Sequence, residues 1–199
     1  MAQSDDVRTA VLDAAKVAFR ARGYMGTTMK GVAKAAGVAP VVVRRYYNSK
    51  DSLFAAAMKL PFDPASAVPT LLAPGLDGMG ERLVRATLEL LGDDEARDDL
   101  VALVTAGRSA GKAAGSLTDF LEHSVVDRVA ASLGVPDARM RSALVSSYLV
   151  GIAASRYVLR LEPLASASED QVVRMVAPMI QDLLDPTKPL KGYTPPKKS

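Results

Sequence analysis

The stretch from Thr28 to Tyr47 constrains this chain more than any other. Thr28 can cap a short helix, Met29 to Ala36; Gly37-Val38-Ala39 then turns the chain, and Pro40 opens a second helix that runs to about Tyr47. Proline is tolerated at a first helical position because its missing N–H has no intrahelical partner to lose. Two short helices joined by a glycine-containing turn form the helix-turn-helix signature, whose second helix enters the DNA major groove. At about 100° per residue, Val43 and Tyr47 share one face with Pro40 within reach, and that face points to a core. Val41 and Arg45 point the opposite way, Val42 and Arg44 flank them, and Tyr46 lies at the edge. An arginine fork can hold O6 and N7 of guanine, and a valine methyl can pack on the methyl of thymine. The bland alternative is an ordinary helical hairpin whose arginines lay their stems along its surface.

The same punctuation predicts helices nearly throughout. Val7, Val11, Ala14 and Ala18 or Phe19 fall at helical spacing behind a Ser4 cap, and Gly23 stops them. Ser49 can cap a fourth helix carrying Leu53, Phe54, Ala57 and Met58. Prolines 61, 64, 69 and 74 mark a connection, and beyond it helices are expected over 78–91, 94–107, 116–133, 137–161 and 168–184. The last opens with Ser168-x-x-Gln171, a capping box, and Pro178 inside it should kink it or cost a backbone hydrogen bond. The expectation is an all-α chain of about nine helices in four parts: a helix-turn-helix DNA-binding domain over 1–60, a Pro-rich connection over 61–75, a larger helical body over 76–185, and a flexible basic tail over 186–199.

Composition narrows the chemistry. With no cysteine and only His123, disulfides, thiolate sites and an imidazole zinc cluster are excluded. A glycine-rich phosphate loop, a carboxylate–histidine metal motif and a convincing nucleophile–base pair are all missing, so no enzymatic activity and no cofactor are expected. The acidic, polar start does not suit a signal peptide, and no apolar run approaches the ~18 residues of a membrane span, so a soluble cytoplasmic protein without a membrane partner is expected. Charge is divided unevenly. Residues 1–60 hold ten Lys/Arg against four acids, a net of +6, while the remainder holds 15 against 18, a net of −3. A basic front on an acidic body fits a front that meets a polyanion, and equally fits an accident of solvated faces.

From Arg8 to Leu53 the chain resembles the DNA-binding domain of TetR/AcrR-type transcriptional regulators. The residues that carry the resemblance are Phe19-Arg20-Ala21-Arg22-Gly23-Tyr24, Thr27-Thr28, Val32-Ala33-Lys34-Ala35-Ala36-Gly37-Val38, Tyr46-Tyr47 and Ser49-Lys50-Asp51-Ser52-Leu53. Two positions depart from the family's habit: Ala39 stands where serine is frequent, and Arg44 where tyrosine is frequent. The resemblance implies that Thr28 and Tyr46 contact phosphate, that Pro40, Val41, Val42, Arg44 and Arg45 face bases, and that Met29 and Lys30 lie near the DNA backbone. Lys50, at the start of the fourth helix, joins its charge to free backbone N–H groups that also suit phosphate. Thr28 as a simple cap and Tyr46 as a closure of the small core are the plainer alternatives.

In the body, Met140, Leu144, Ser147, Gly151, Ala154, Val158 and Leu161 alternate steps of four and three, a seam with small residues at its middle. Val172, Val176, Ile180 and Leu183 make a stripe on the final helix. The resemblance implies that both pair with their copies in a four-helix homodimer interface; the alternative is that they serve the monomer's own core. It also implies a chamber for a small molecule, for which Arg108, Phe120, His123, Arg156 and Tyr157 are candidate lining groups beside Met79 and Leu83; Met79 and Met140 are flexible enough for an adaptable apolar pocket, and the plainer alternative is that each is ordinary core or surface. The expected function is thus a homodimeric repressor that binds a palindromic double-stranded DNA operator and is released by a small apolar or amphipathic effector. A ligand-independent regulator, and a helical carrier of apolar ligands with an idle helix-turn-helix, are the other readings.

Overall fold

Helix follows helix in the order the sequence punctuation predicts. The computed structural model describes residues 2–95, 97–98, 112–135 and 137–194, and among these there is no strand. The helices are α1 (Ala2–Arg22), α2 (Met29–Ala35), α3 (Pro40–Tyr46), α4 (Lys50–Ala57), α5 (Pro64–Leu72), α6 (Met79–Gly92), α7 (Lys112–Leu121), α8 (Asp127–Leu133), α9 (Ala138–Ala153) and α10 (Glu169–Leu184). A wide π-turn, Glu122–Val126, joins α7 to α8, and another, Ala154–Val158, ends α9. The fold class is the expected one. The helix expected over 94–107 lies largely outside the described residues.

Two compact units divide the chain: Met1–Ala67 with Glu95–Ser124, and Val68–Asp94 with Val125–Ser199. In the first, Val11, Ala15, Ala18 and Phe19 of α1 recur at helical spacing and bury against Val32 and Ala33 of α2, Val43 of α3, and Leu53 and Phe54 of α4. Phe120 of α7 completes this core, with its ring stacked on Phe54 at 4.4 Å between centroids. Gly23, at φ +73°, ends α1 in the left-handed region that a Cβ would strain. Thr27 is buried, and its hydroxyl lies in hydrogen-bond reach of the carbonyls of Gly23 (2.8 Å) and Ala18 (3.1 Å), tying the turn to the last turn of α1.

In the second unit α6 lies against α10. Gly80 has no side chain to separate them: a Cβ there would overlap the carbonyl oxygen of Ala177 and come 2.8 Å from the Gln181 nitrogen. The Gln181 amide spans the contact, accepting from the Gly80 N–H at 2.9 Å and donating to the Leu76 carbonyl at 2.9 Å. Around it pack Met79, Val84 and Leu88 from α6 and Val172, Val173, Val176, Ile180 and Leu184 from α10. The capping box at Ser168 is formed in both directions, Gln171 N–H to Ser168 Oγ and Ser168 N–H to Gln171 Oε1.

Three expectations change. The Pro-rich connection holds a helix, α5: Pro64 sits at its first position, and Asp63 accepts from the Ala65 N–H at 2.9 Å, supplying the cap. The segment expected as one helix over 116–133 is helical throughout, but it carries a stretch of π geometry at Glu122–Val126. The tail is tied down at its start. Arg141, buried on α9, donates to the carbonyls of Leu183 (2.8 Å), Asp185 (3.0 Å) and Lys188, and pairs with Asp137 at 2.8 Å. A guanidinium at a helix C-terminus satisfies orphan carbonyls and meets the negative end of the dipole.

Candidate nucleic-acid interface

Helix α3 displays the faces assigned from its periodicity. Val43 and Tyr47 are in the core, while Val41 is 71% exposed and Arg44 and Arg45 are exposed beside it. An apolar side chain left in water one helical turn from two exposed arginines is a poor choice for an idle surface and a good one for a groove. Pro40 is exposed at the first position of α3 rather than packed toward the core, and Val42 is half-buried. Ala39 makes no side-chain cap, so the serine departure leaves this helix start without one.

Around α3 the backbone-contact candidates differ in freedom. Thr28 is exposed and caps α2, its Oγ accepting from Gly31 N–H at 3.1 Å; the hydroxyl hydrogen is still available to a phosphate. Lys30 is exposed, whereas Met29 and Tyr46 are half-buried against the core. Lys50 is also half-buried: its Nζ donates to the Tyr24 carbonyl at 3.1 Å and stands 4.0 Å over the centre of the Tyr24 ring. Burial holds its ammonium below the usual lysine range, against the pull of Asp51 and Asp119. Tyr24 in turn donates its hydroxyl to the buried Asp51. Sequence reasoning missed this trio, and also Arg8, whose Nε donates to the Tyr47 hydroxyl at 3.4 Å. The Gly23-Tyr24 and Lys50-Asp51 pairs were visible as motif letters, but nothing local tells that they meet.

The ligand candidates do not gather. Phe120 and the exposed His123 belong to the first unit, and Phe120 is a core ring there rather than a chamber wall. Met79 is fully buried in the second core, with Leu83 half-buried against it. Arg156 donates to the Leu164 carbonyl at 2.5 Å, and Tyr157 to the Leu88 carbonyl at 3.2 Å. Arg108 lies outside the described residues. Open depressions in this unit of about 520 Å³, by Leu164, Gln171, Arg174 and Met175, and of about 410 Å³, by Arg85, Glu89 and Glu169, are lined by none of them.

The expected interface stripe on α10 is corrected as well. Val172 and Ile180 have no exposed surface and Val176 almost none, because the close approach at Gly80 turns that stripe onto α6; Leu183 is half-buried with them. The outward apolar face of α10 is Met175, Pro178 and Met179. Of the expected seam, Ser147 and Gly151 on α9 and Val158 at the end of the following π-turn are exposed, while Met140, Leu144 and Ala154 are half-buried.

A three-helix head with an arginine-bearing recognition helix on a helical body defines a helix-turn-helix DNA-binding protein. Residues 11–57 match the family model of bacterial regulatory proteins of the tetR family, and residues 77–184 match the tetracyclin repressor-like C-terminal domain. The chain belongs to the TetR family of DNA-binding transcriptional regulators. Among solved structures it is similar to a TetR-family regulator from Streptomyces coelicolor A3, with 34% identity over 90% of this chain and 95% of that one and a TM-score of 0.45. It is also similar to NalD, the secondary repressor of the MexAB-OprM multidrug efflux pump in Pseudomonas aeruginosa, with 19% identity over 89% and 95% and a TM-score of 0.44. A third is the multidrug binding protein EbrR complexed with proflavin, with 20% identity over 89% and 99% and a TM-score of 0.47. No curated protein matches. Among the described residues no helix is long and apolar enough to cross a membrane.

Proposed function

We propose that this regulator is a homodimeric repressor whose two α3 helices read the halves of a palindromic operator. The observation that carries the reading is the outward face of α3, where Val41 stands exposed beside Arg44 and Arg45. One such short helix buries too little surface to select a site in a genome, whereas two at fixed spacing read a palindrome. The apolar side chains left outward on the body, Val150 at 66% exposed and Met175 and Met179 above half, supply a surface for a second copy. The match of the body to the tetracyclin repressor-like C-terminal domain supports reading it as the seat of a small apolar or amphipathic effector that releases the DNA. An effector can act only by binding the DNA-bound and free conformations unequally.

The test is an electrophoretic mobility shift with the DNA upstream of the chain's own gene, at two salt concentrations, with light scattering on the complex. A specific, salt-sensitive complex of two chains per site is the expected result. Binding indifferent to sequence, or by single chains, refutes it. A thermal-shift screen of a compound library, followed by release from that DNA, tests the effector; no hit would leave a ligand-independent regulator.

A further inference from the structure

Lys50 is the one phosphate candidate whose ammonium already has protein partners, and all of them converge on Tyr24. The Tyr24 carbonyl accepts from Nζ at 3.1 Å, and its ring lies 4.0 Å beneath. The Tyr24 hydroxyl donates to Asp51, the residue next to Lys50, and sits 3.4 Å from Ser124 Oγ. The ring is itself gripped, edge-on, by Phe54 at 5.4 Å and Phe120 at 5.5 Å. Tyr24 is 4% exposed and Asp51 8%, so neither reaches DNA itself.

We propose that Tyr24, anchored through its hydroxyl on Asp51, is the positioning residue that holds the Lys50 ammonium ready for a DNA phosphate. This rests on the reading of Lys50 as a phosphate contact. A lysine carries three N–H donors, and the Tyr24 carbonyl takes one, leaving two for a phosphate oxygen. A lysine side chain otherwise gives up much of its rotamer freedom when it is fixed. Prepositioning moves that loss from the binding step to folding. The ring face and carbonyl are a site for a cation, and the hydroxyl anchor keeps both in register with α4.

The experiment is a double-mutant cycle on operator binding with Tyr24→Phe, Lys50→Ala and the double variant, each checked by thermal melting. Tyr24→Phe keeps the aromatic packing and removes only the anchor. It should weaken binding about tenfold with unchanged base preference, the worth of one hydrogen bond near a charge. In the Lys50→Ala background the same change should cost less than about twofold, because the two act through one contact. Lys50→Ala should reduce the salt slope by about 0.9 per protomer.

A pH profile separates positioning from mere support. The charges facing Lys50 are Asp51 on α4 and Asp119 on α7, and His123, whose ring lies 6.5 Å from that of Tyr24, is the neighbouring titratable group. Affinity should fall at alkaline pH as Lys50 loses its proton. Tyr24→Phe, which frees the ring and carbonyl to drift out of register with Lys50, should move that fall to higher pH, and Lys50→Arg should abolish it. Equal losses from Tyr24→Phe in both backgrounds, or an unmoved alkaline fall, overturn the positioning role while sparing the phosphate role of Lys50. An innocuous Lys50→Ala overturns both.

Discussion

Phe54 and Phe120 stack face to face at 4.4 Å and 27°, one from the fourth helix of the DNA-reading unit and the other from α7, far along the chain. The pair makes α7 a structural part of that unit. Phe120→Ala removes a fully buried ring and should destabilise the protein by about 3–5 kcal/mol, the range for deleting a core phenylalanine. Urea unfolding of the full chain measures it. A loss under about 1 kcal/mol would show that the core is closed without α7.

Gly151 offers a clean probe of the proposed dimer. A Cβ added there meets no atom of its own chain within 4 Å, so Gly151→Arg leaves the protomer's packing intact. At a close helix–helix contact between copies the unpaired charge is strongly unfavourable. The variant should melt near the wild-type temperature yet be monomeric by light scattering and bind operator poorly. A dimeric Gly151→Arg protein places the interface elsewhere.

Arg44 and Arg45 should divide from the phosphate contacts in kind. Replacing the base-reading arginine by alanine should cost about 1–3 kcal/mol per half-site and relax preference at one base pair. Lys30→Ala, if it touches only the backbone, should weaken all sequences alike. Selection from randomised DNA with each variant decides. Unchanged preference in both arginine variants would assign readout to Val41 and Val42 or to DNA shape.

Asp137 gives the stability an acid limb. Its hydrogen bond to Arg141 holds the carboxyl below its usual range, so the folded state binds fewer protons than the unfolded one. The stabilisation is therefore present above the unfolded value near 3.8 and is lost as pH falls through the lower folded value. Asp137→Asn should flatten that limb and lower stability at neutral pH. Arg141→Met, which strands Asp137 and the carbonyls at the end of α10, should cost about 3–5 kcal/mol. Denaturant melts from pH 3 to 7 (on the order of one unit apart) test both.

Gly80→Ala weighs two small effects against each other. Alanine gains at most about 1 kcal/mol of helix propensity over glycine. The added methyl would strike the Ala177 carbonyl and crowd Gln181, and forcing α6 off α10 should cost about 1–3 kcal/mol. The net expectation is a loss in urea melts. A gain would mean that the two helices separate freely.

The sequence by itself determined what depends on neighbours within about four residues. The caps at Thr28, Ser49 and Ser168, the stop at Gly23, the start at Pro40 and the outward valine and arginines of α3 were all legible, because helix geometry turns spacing into direction. Tertiary structure decided which surface each buried stripe meets. Periodicity marked Val172, Val176 and Ile180 as a face to be covered, but not that they are covered within the chain's own core, beside the close approach of α6 and α10 at Gly80. Phe120 read as a chamber wall and is a core ring of the DNA-reading unit; Lys50 read as a phosphate contact with no protein partner named, and its ammonium is held by Tyr24. Hydrophobic burial is non-directional, so a pattern states that a side chain leaves water without stating which distant partner receives it.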